Sequence, residues 1–337
     1  MTHRLASNVQ KFHLNRRSLL LAAGASVGTL AAPSILRAQS APTIRIGYWP
    51  ISAGLPFYAA IEEGFFADAG VELEVQRYAG AQQITEAMLA GRTDGAANGT
   101  GSANQAIAEL ASPGLISFIC SNPTNAEFVL DEVIVPVGSP ATSIADLSGM
   151  RLAGGPGIQN MTLAREVFAR GGATDFELVE VPFPQQVAAI DAGQIAGAYT
   201  LEPQGTIGRM AGISRILESG VIARYILGDE MAPWHGGAAS LTNRFISDHP
   251  ETATLYIEAY RRGVAFVREN PVEARRHLTG YTPIEGDLAL EVPMSDYTMF
   301  DEFTPDSIAY FQKFFDLFVE KGVFSQHLDV ASMVYGA

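Results

Sequence analysis

Short stretches of alternating apolar and polar residues recur along this chain, separated by stretches with helical spacing. Residues 43–48 and 71–77 alternate and predict two strands, while residues 55–66 between them place apolar side chains on one helical face. A helix over 82–90 ends before Gly91, because glycine readily takes the left-handed backbone that ends helices. A further short strand and helix follow. This order predicts a parallel sheet with crossover helices, an α/β fold.

The same order of elements returns in the second half of the chain. Strands are predicted at 151–153, 176–181 and 197–200, and helices at 160–170 and 185–191. Short motifs repeat as well: Gln82-Gln83, Ala90-Gly91 and Gly95-Ala96 correspond to Gln185-Gln186, Ala192-Gly193 and Gly197-Ala198. The repeat predicts two similar lobes, although short motifs rich in alanine and glycine also coincide by chance.

The N-terminal segment has the order of an export signal. Arg16 and Arg17 precede an uncharged run from Leu19 to Ala32, and small residues follow at 38–41. The run is too short to span a bilayer, which takes roughly 20 helical residues. The arginine pair is typical of the twin-arginine route, but Leu19 replaces the common phenylalanine and no lysine follows, so the general secretory route stays open. An ordinary amphipathic helix is the alternative. We expect cleavage near residue 40 and a soluble periplasmic protein without a lipid anchor.

These patterns divide the chain into three expected parts. Residues 1–40 form the cleaved signal, residues 41–136 with 238–337 form lobe 1, and residues 137–237 form lobe 2. The strand-like segments 132–137 and 238–242 are the candidate crossings between the lobes.

Charge and cysteine content exclude several classes of function. Residues 1–40 hold five basic residues and no acidic one, so 17 of the 22 basic residues remain against 36 acidic ones, a formal charge of −19. Such a surface argues against binding nucleic acid, which relies on basic patches. Cys120 is the single cysteine, so an intrachain disulfide is impossible and a cysteine-based metal site is not expected. We expect Cys120 to be a buried apolar thiol.

The candidate ligand site follows from the fold class. In open parallel sheets, ligands bind beyond the carboxyl ends of strands and against helix N-termini. The loops at those places are rich in glycine and neutral donors, and backbone N–H groups at helix starts bind anions without basic side chains. Aromatic residues there offer walls for an organic ligand body. The predicted ligand-binding residues are Tyr48, Trp49, Gln82, Asn98, Thr100, Gly157, Gln159, Asn160, Phe183 and Tyr199.

Catalysis has little support in the sequence. After residue 40 no Gly-x-Ser-x-Gly motif or metal-ligand spacing is present, and the lysines there are Lys313 and Lys321 alone. His235 is the one histidine near a predicted crossing, while His249 and His277 are expected to be exposed structural residues. We therefore expect no catalytic residue, no metal and no cofactor.

Several segments resemble a known family. The residues 46–50, 59–73, 87–95, 144–153 and 199–203 are similar to segments of solute-binding proteins of ABC importers, in the nitrate/sulfonate/taurine group. That group shares its fold with thiamine-pyrimidine precursor proteins. The resemblance implies a periplasmic-binding-protein fold, in which two Rossmann-like lobes joined by two crossing strands close on a solute. It also implies delivery of the solute to an ABC permease in the inner membrane.

The chain departs from the family in two places. Residues 121–125 do not form the cysteine-rich motif of the pyrimidine-synthesising members, and the cleft loops offer no lysine or arginine for a bare inorganic anion. The expected solute is therefore an organic sulfonate, a carboxylate or a heteroaromatic compound such as a pyrimidine.

The leading hypothesis is thus a monomeric solute-binding protein without turnover. The alternatives are an enzyme of pyrimidine or thiamine-precursor metabolism on the same fold and a sensory protein that presents its solute to a membrane receptor. Trp49 is the strongest single site candidate, with packing at the lobe edge as its alternative role, and Glu202 is expected to be structural or to join the lobes.

Overall fold

The computed structural model describes residues 43–336. The predicted export signal at 1–40 lies outside the described residues. The strands are β1 (Ile44–Tyr48), β2 (Leu73–Arg77), β3 (Gly95–Ala96), β4 (Ile116–Thr124), β5 (Asp131–Pro136), β6 (Arg151–Gly154), β7 (Glu177–Glu180), β8 (Gly197–Leu201), β9 (Ser214–Ser219), β10 (Trp234–Thr242) and β11 (Thr298–Met299).

Helices connect most of these strands. They are α1 (Leu55–Glu62), α2 (Phe65–Asp68), α3 (Ala81–Leu89), α4 (Ala103–Ala111), α5 (Gly157–Arg170), α6 (Phe183–Asp191), α7 (Gln204–Met210), α8 (Asn243–Asp248), α9 (Pro250–Glu269), α10 (Pro271–Ala274), α11 (Asp287–Glu291) and α12 (Pro305–Glu320). None of the helices within 43–336 is long and apolar enough to cross a membrane.

The strands form two sheets. The first has the order β11-β4-β10-β3-β1-β2 and the second the order β7-β6-β8-β5-β9. In the first sheet β1 pairs in parallel with β2 and β3, and in the second β6 pairs in parallel with β7 and β8. The mixed α/β class and the repeated parallel units predicted from the sequence are confirmed. We call the parts built on these sheets the first-sheet half and the second-sheet half.

The two segments predicted as crossings lie inside the sheets instead. β5 pairs with β8 and β9 in the second sheet, and residues 237–242 of β10 pair with β4 in the first. The chain passes between the sheets just before each strand, where the Ala126 N–H donates to the Glu230 carbonyl at 3.0 Å. Alternating apolar residues report the burial of a strand but not the sheet that it joins, which is why the sequence misplaced the crossings. The lobe limits themselves stay a prediction.

A core shared by both sheets surrounds α12. The aromatic residues Phe311, Phe314, Phe315 and Phe318 recur at helical spacing and are all buried. Their cluster also contains Ile116 and Trp234 from the first sheet and Val133 from the second. The helix begins at a cap in which the Thr304 hydroxyl accepts from the Ser307 N–H at 3.1 Å. α12 therefore packs against both halves.

Three smaller expectations have different outcomes. Cys120 is fully buried, as expected, and burial raises the pKa of its thiol. His249 is exposed as expected, but the expectation for His277 is wrong, since it is buried with its Nε2 2.9 Å from Glu63 Oε1. A histidine in a short basic segment is expected to be exposed, and the sequence does not indicate that Glu63 is its partner.

Candidate functional site

The carboxyl ends of the parallel strands lie on one edge of each sheet. β10 is antiparallel to β3 and β4, so its first residue, Trp234, lies beside Thr124 at the end of β4. In the second sheet, Asp131 at the start of β5 lies opposite Leu201 at the end of β8. Residues 125–130 run from the end of β4 to the start of β5, so these two edges meet at the crossing. Ligand sites in such sheets lie at these edges.

Trp49 follows β1 at this edge and is held by Asn98, which follows β3. The Asn98 side chain accepts from the Trp49 N–H at 3.0 Å and donates to the Trp49 carbonyl at 2.9 Å. The Tyr58 hydroxyl donates to the same carbonyl at 3.1 Å. Asn98 is fully buried and Trp49 is half-buried, so the loop is fixed while its indole stays partly accessible. Asn98 therefore positions Trp49 and uses its own polar atoms in doing so.

Thr100 and Tyr48 also make their contacts within the folded protein. The Thr100 hydroxyl donates to the Ala238 carbonyl at 2.7 Å, which ties the loop after β3 to β10. The Tyr48 ring packs edge-on against Tyr58, with centroids 5.6 Å apart, inside an aromatic core. Both residues are buried, and neither the Thr100 hydrogen bond nor the Tyr48 ring packing was visible in the sequence.

Gln82 lies at the start of α3 and is exposed. Its amide donates to Glu86 at 3.0 Å, one turn further along the same helix. This contact is typical of a solvated helix face. Of the candidates in the first-sheet half, Gln82 is the one whose side chain the fold does not bury.

Three candidates lie at the start of α5 in the second-sheet half. Gly157 has a positive φ of 86°, and its N–H donates to Glu180 Oε2 at 3.3 Å. The Asn160 amide donates to the Pro156 carbonyl at 2.7 Å, within its own turn. Gln159 instead reaches the first-sheet half, where its Oε1 accepts from the Ala103 N–H at 2.5 Å. This hydrogen bond joins the start of α5 to the start of α4, and we call the place where the two halves meet there the junction.

Phe183 and Tyr199 are apolar neighbours of this junction. The Phe183 ring covers Gly155, where a Cβ would overlap the ring and force it to move. Tyr199 is fully buried, and its hydroxyl has no hydrogen-bond partner within the described residues. Burial, and then the nearby Asp131 carboxylate, raise the pKa of Tyr199 well above its usual value.

Three polar side chains at the edges were not among the predicted site residues. Asn122 lies near the end of β4, donates to the Ala53 carbonyl at 3.1 Å, and keeps an Oδ1 without a partner in the described part of the chain. Trp234 is 2% exposed, and its Nε1 is also unpaired among residues 43–336. The Asp131 carboxylate Oδ2 accepts from the Ile222 N–H at 2.7 Å. The edge rule that selected Trp49 could have found all three, since each lies at or near a strand end on these carboxyl edges.

A buried carboxyl pair lies beneath the second edge. Glu132 is fully buried, and Glu202 accepts from the N–H and hydroxyl of Thr206 at 3.2 and 2.9 Å. Burial, followed by the neighbouring Glu202, raises the pKa of Glu132 to about 9, and burial raises the pKa of Glu202 as well. Two such groups cannot both ionise readily, so one proton stays on the pair at neutral pH. Glu202 thus holds the first turn of α7.

His235 is buried within the fold and packed among aromatic rings. Its Nδ1 lies 2.6 Å from the Ser121 hydroxyl, and its ring stacks on Phe311 with centroids 5.1 Å apart. Burial lowers the pKa of His235 to about 3, so the ring is neutral at physiological pH. Among the described residues, no group of three or more histidine, cysteine, aspartate or glutamate side chains could hold a metal ion.

The sequence matches a known protein family. The family model described as NMT1/THI5 like matches residues 52–274. The chain belongs to the NMT1/THI5-like family. Among proteins of curated function, none matches the sequence.

Three solved structures with a similar fold are named as binding proteins. The periplasmic aliphatic sulphonate binding protein SsuA from Escherichia coli has a TM-score of 0.69 at 16% identity, covering 87% of this chain and 92% of its own. The alkanesulfonate-binding protein SsuA from Xanthomonas axonopodis pv. citri, bound to MOPS, has a TM-score of 0.68 at 18% identity, covering 88% and 99%. The periplasmic nitrate-binding protein NrtA from Synechocystis PCC 6803 has a TM-score of 0.63 at 14% identity, covering 87% and 84%. At these identities the likeness establishes the fold, and the predicted family resemblance is confirmed.

Proposed function

We propose that this chain is the periplasmic substrate-binding component of an ABC importer. It captures a small organic solute between the two sheet edges and delivers it to a permease in the inner membrane. The observation that carries the proposal is the meeting of two carboxyl edges at one crossing, with Gln159 reaching from one half to the other. Ligands in such α/β folds bind at strand carboxyl ends, and hinged lobes close around them.

The chemistry of the edges favours an organic sulfonate, a carboxylate or a heteroaromatic solute. The loops at 49–54, 97–102 and 155–159 contain no lysine or arginine. An acidic head would instead be bound by backbone N–H groups at the starts of α4 and α5. The half-buried rings of Trp49 and Phe183 would pack against the organic body.

The surroundings of the edge histidine favour binding over turnover. His235 is buried between Phe303 and Phe311, and its Nδ1 already faces the Ser121 hydroxyl. The segment 121–125 lacks the cysteine-rich motif of pyrimidine-synthesising members, and its residues 121–124 are buried strand residues of β4. An enzyme of pyrimidine metabolism is therefore the less supported alternative.

The remaining parts of the proposal concern residues 1–40 and the assembly. The arginine pair and apolar run in that segment support export to the periplasm, by the twin-arginine or the general secretory route. We propose that the exported chain works as a monomer that meets its permease one molecule at a time.

A thermal-unfolding screen tests the proposal. Protein spanning 41–337 is heated with alkyl and aryl sulfonates, carboxylates, pyrimidines and nitrate, each in separate samples. A solute at 100 times its dissociation constant stabilises the fold by about 2.7 kcal/mol, a clear shift of the midpoint. We expect a hit among the organic solutes that is recovered unchanged. A hit that is consumed would support the enzyme, and a panel without any hit would contradict the proposed solute chemistry.

A further inference from the structure

The start of α4 already has an acceptor in the structure. The Ala103 N–H donates to Gln159 Oε1 at 2.5 Å, although the two residues belong to opposite halves of the molecule. Ala103 is fully buried and Gln159 is half-buried, so the contact is shielded from water on the Ala103 side. Within the helix, the Ser102 hydroxyl serves a different amide, that of Gln105, at 3.4 Å.

The Gln159 oxygen contacts the Ala103 N–H in the way that an oxygen of a bound acidic group would. The first amides of a helix have no partner inside the helix and carry partial positive charge, so they attract oxygen acceptors. The carboxamide oxygen of Gln159 is a neutral acceptor placed where a sulfonate or carboxylate oxygen would be placed. It therefore satisfies the Ala103 amide when no solute is present.

A second contact between the halves is weaker in kind. Arg209 of α7 and Glu291 of α11 form an ion pair at 2.8 Å, with side chains 47% and 50% exposed. Exposed pairs of this kind contribute little, because water screens them. The buried end of the Gln159 contact makes it the stronger of these two contacts.

We propose that Gln159 is an internal latch that holds the two halves together without solute and that an acidic solute displaces. Displacement by an acidic solute rests on the proposed function, whereas the latch without solute does not. A protein whose open state is only partly populated binds its ligand more weakly by that fraction. The latch would thus set the solute affinity through the cost of opening.

The first test measures opening without any solute. Spin labels are attached to Glu86→Cys in α3 and Ala188→Cys in α6, both exposed positions in opposite halves. Cys120 is fully buried and stays unlabelled. We expect Gln159→Met, which keeps the side-chain length but removes the acceptor, to shift the distance distribution to longer values. Gln159→Glu should keep the short distance, since a carboxylate is a stronger acceptor at a helix start.

Two matched controls accompany this test. Asn160→Ala removes a hydrogen bond from the same turn of α5 that stays within its own half, and Arg209→Gln removes the exposed ion pair. Neither should move the distribution as far as Gln159→Met. An unchanged distribution in Gln159→Met would overturn the latch, whatever the outcome of the solute screen.

The second test uses the acidic solute found in the thermal screen. Gln159→Met should lower its dissociation constant by about two- to tenfold, the equivalent of one hydrogen bond, and Gln159→Glu should raise it. A higher dissociation constant in Gln159→Met would mean that Gln159 binds the solute itself, which overturns displacement. A screen without hits would contradict the proposed function while the spin-label distances still decide the latch.

Discussion

Asn98 and Trp49 are joined by two hydrogen bonds between one side chain and one backbone unit. The Asn98 Oδ1 accepts from the Trp49 N–H at 3.0 Å, and its Nδ2 donates to the Trp49 carbonyl at 2.9 Å. Just before them, the Ala97 N–H donates to the Gly47 carbonyl at 2.9 Å. The Asn98 amide thus continues the ladder between β1 and β3 for one more residue. It fixes the loop that carries the strongest ligand-binding candidate.

Removing the Asn98 clamp, the two hydrogen bonds from its side chain to the Trp49 backbone, should destabilise the fold and loosen Trp49. Asn98→Ala leaves two backbone groups of Trp49 without this partner, which we expect to cost about 1–3 kcal/mol in the free energy of unfolding. Urea unfolding measures the loss, and Trp49 fluorescence in a Trp234→Phe background should show a more solvated indole. The exposed Gln82 is the matched control, and Gln82→Ala should stay within about 0.5 kcal/mol of the parent. Equal stability of the two variants would contradict the clamp.

Gly205 should tolerate no side chain. A Cβ there would overlap the Glu132 carboxyl, which is fully buried and would have to shift within the core. We expect Gly205→Ala to cost about 1–3 kcal/mol in thermal or urea unfolding, as overpacking of a core does. Gly138→Ala is the control, because a Cβ at that exposed position meets nothing within 4 Å. A Gly205→Ala protein as stable as Gly138→Ala would show that the carboxyl pair is not packed against α7.

Stability should fall from weakly acidic to alkaline pH because of Glu132. The pKa of Glu132 is raised from 4.5 to about 9, so between these values the folded chain keeps a proton that the unfolded chain has lost. The free energy of unfolding therefore decreases with rising pH in this window, by up to about 1.4 kcal/mol per pH unit for one proton. Glu132→Gln should flatten this slope in urea titrations between pH 6 and 9. An unchanged slope would mean that the pair is ionised in the folded protein.

His235 should govern stability on the acid side. Its pKa is lowered from 6.5 to about 3 by burial, so the unfolded chain binds a proton there that the folded chain rejects. Stability from this residue is present above pH 6.5 and is lost as the pH falls toward 3. His235→Gln, which cannot be protonated, should remove this part of the acid dependence, and a parent-like acid profile would contradict it.

The sequence predicted the architecture because hydrophobic spacing reports it directly. The paired glutamines at 82–83 and 185–186 do lie in the first turns of α3 and α6, and the parallel units around them repeat as expected. The crossings were misplaced because the hydrophobic pattern of a buried strand is the same whichever sheet the strand joins. The five-residue π-helix Ala223–Leu227 was not predicted, since it has no sequence signal of its own.

The candidate site was only partly predictable for a related reason. Residue type places Asn98 and Thr100 at the right edge, but it does not tell whether their polar atoms are free or bonded to backbone. The contact between Gln159 and Ala103 depends on how the halves meet, which no local pattern encodes. The burial of Glu132 was hidden in a segment interpreted as a crossing strand.

The most direct test of the account is hydrogen exchange of the protein with and without the solute identified by thermal unfolding. We predict protection in peptides covering 48–54, 98–103, 154–160 and 199–203, which lie at the two carboxyl edges. Protection in both halves at once would show that the solute is enclosed between them. Protection confined to one half, or to surfaces away from these edges, would contradict the central claim that a solute is bound where the two sheets meet.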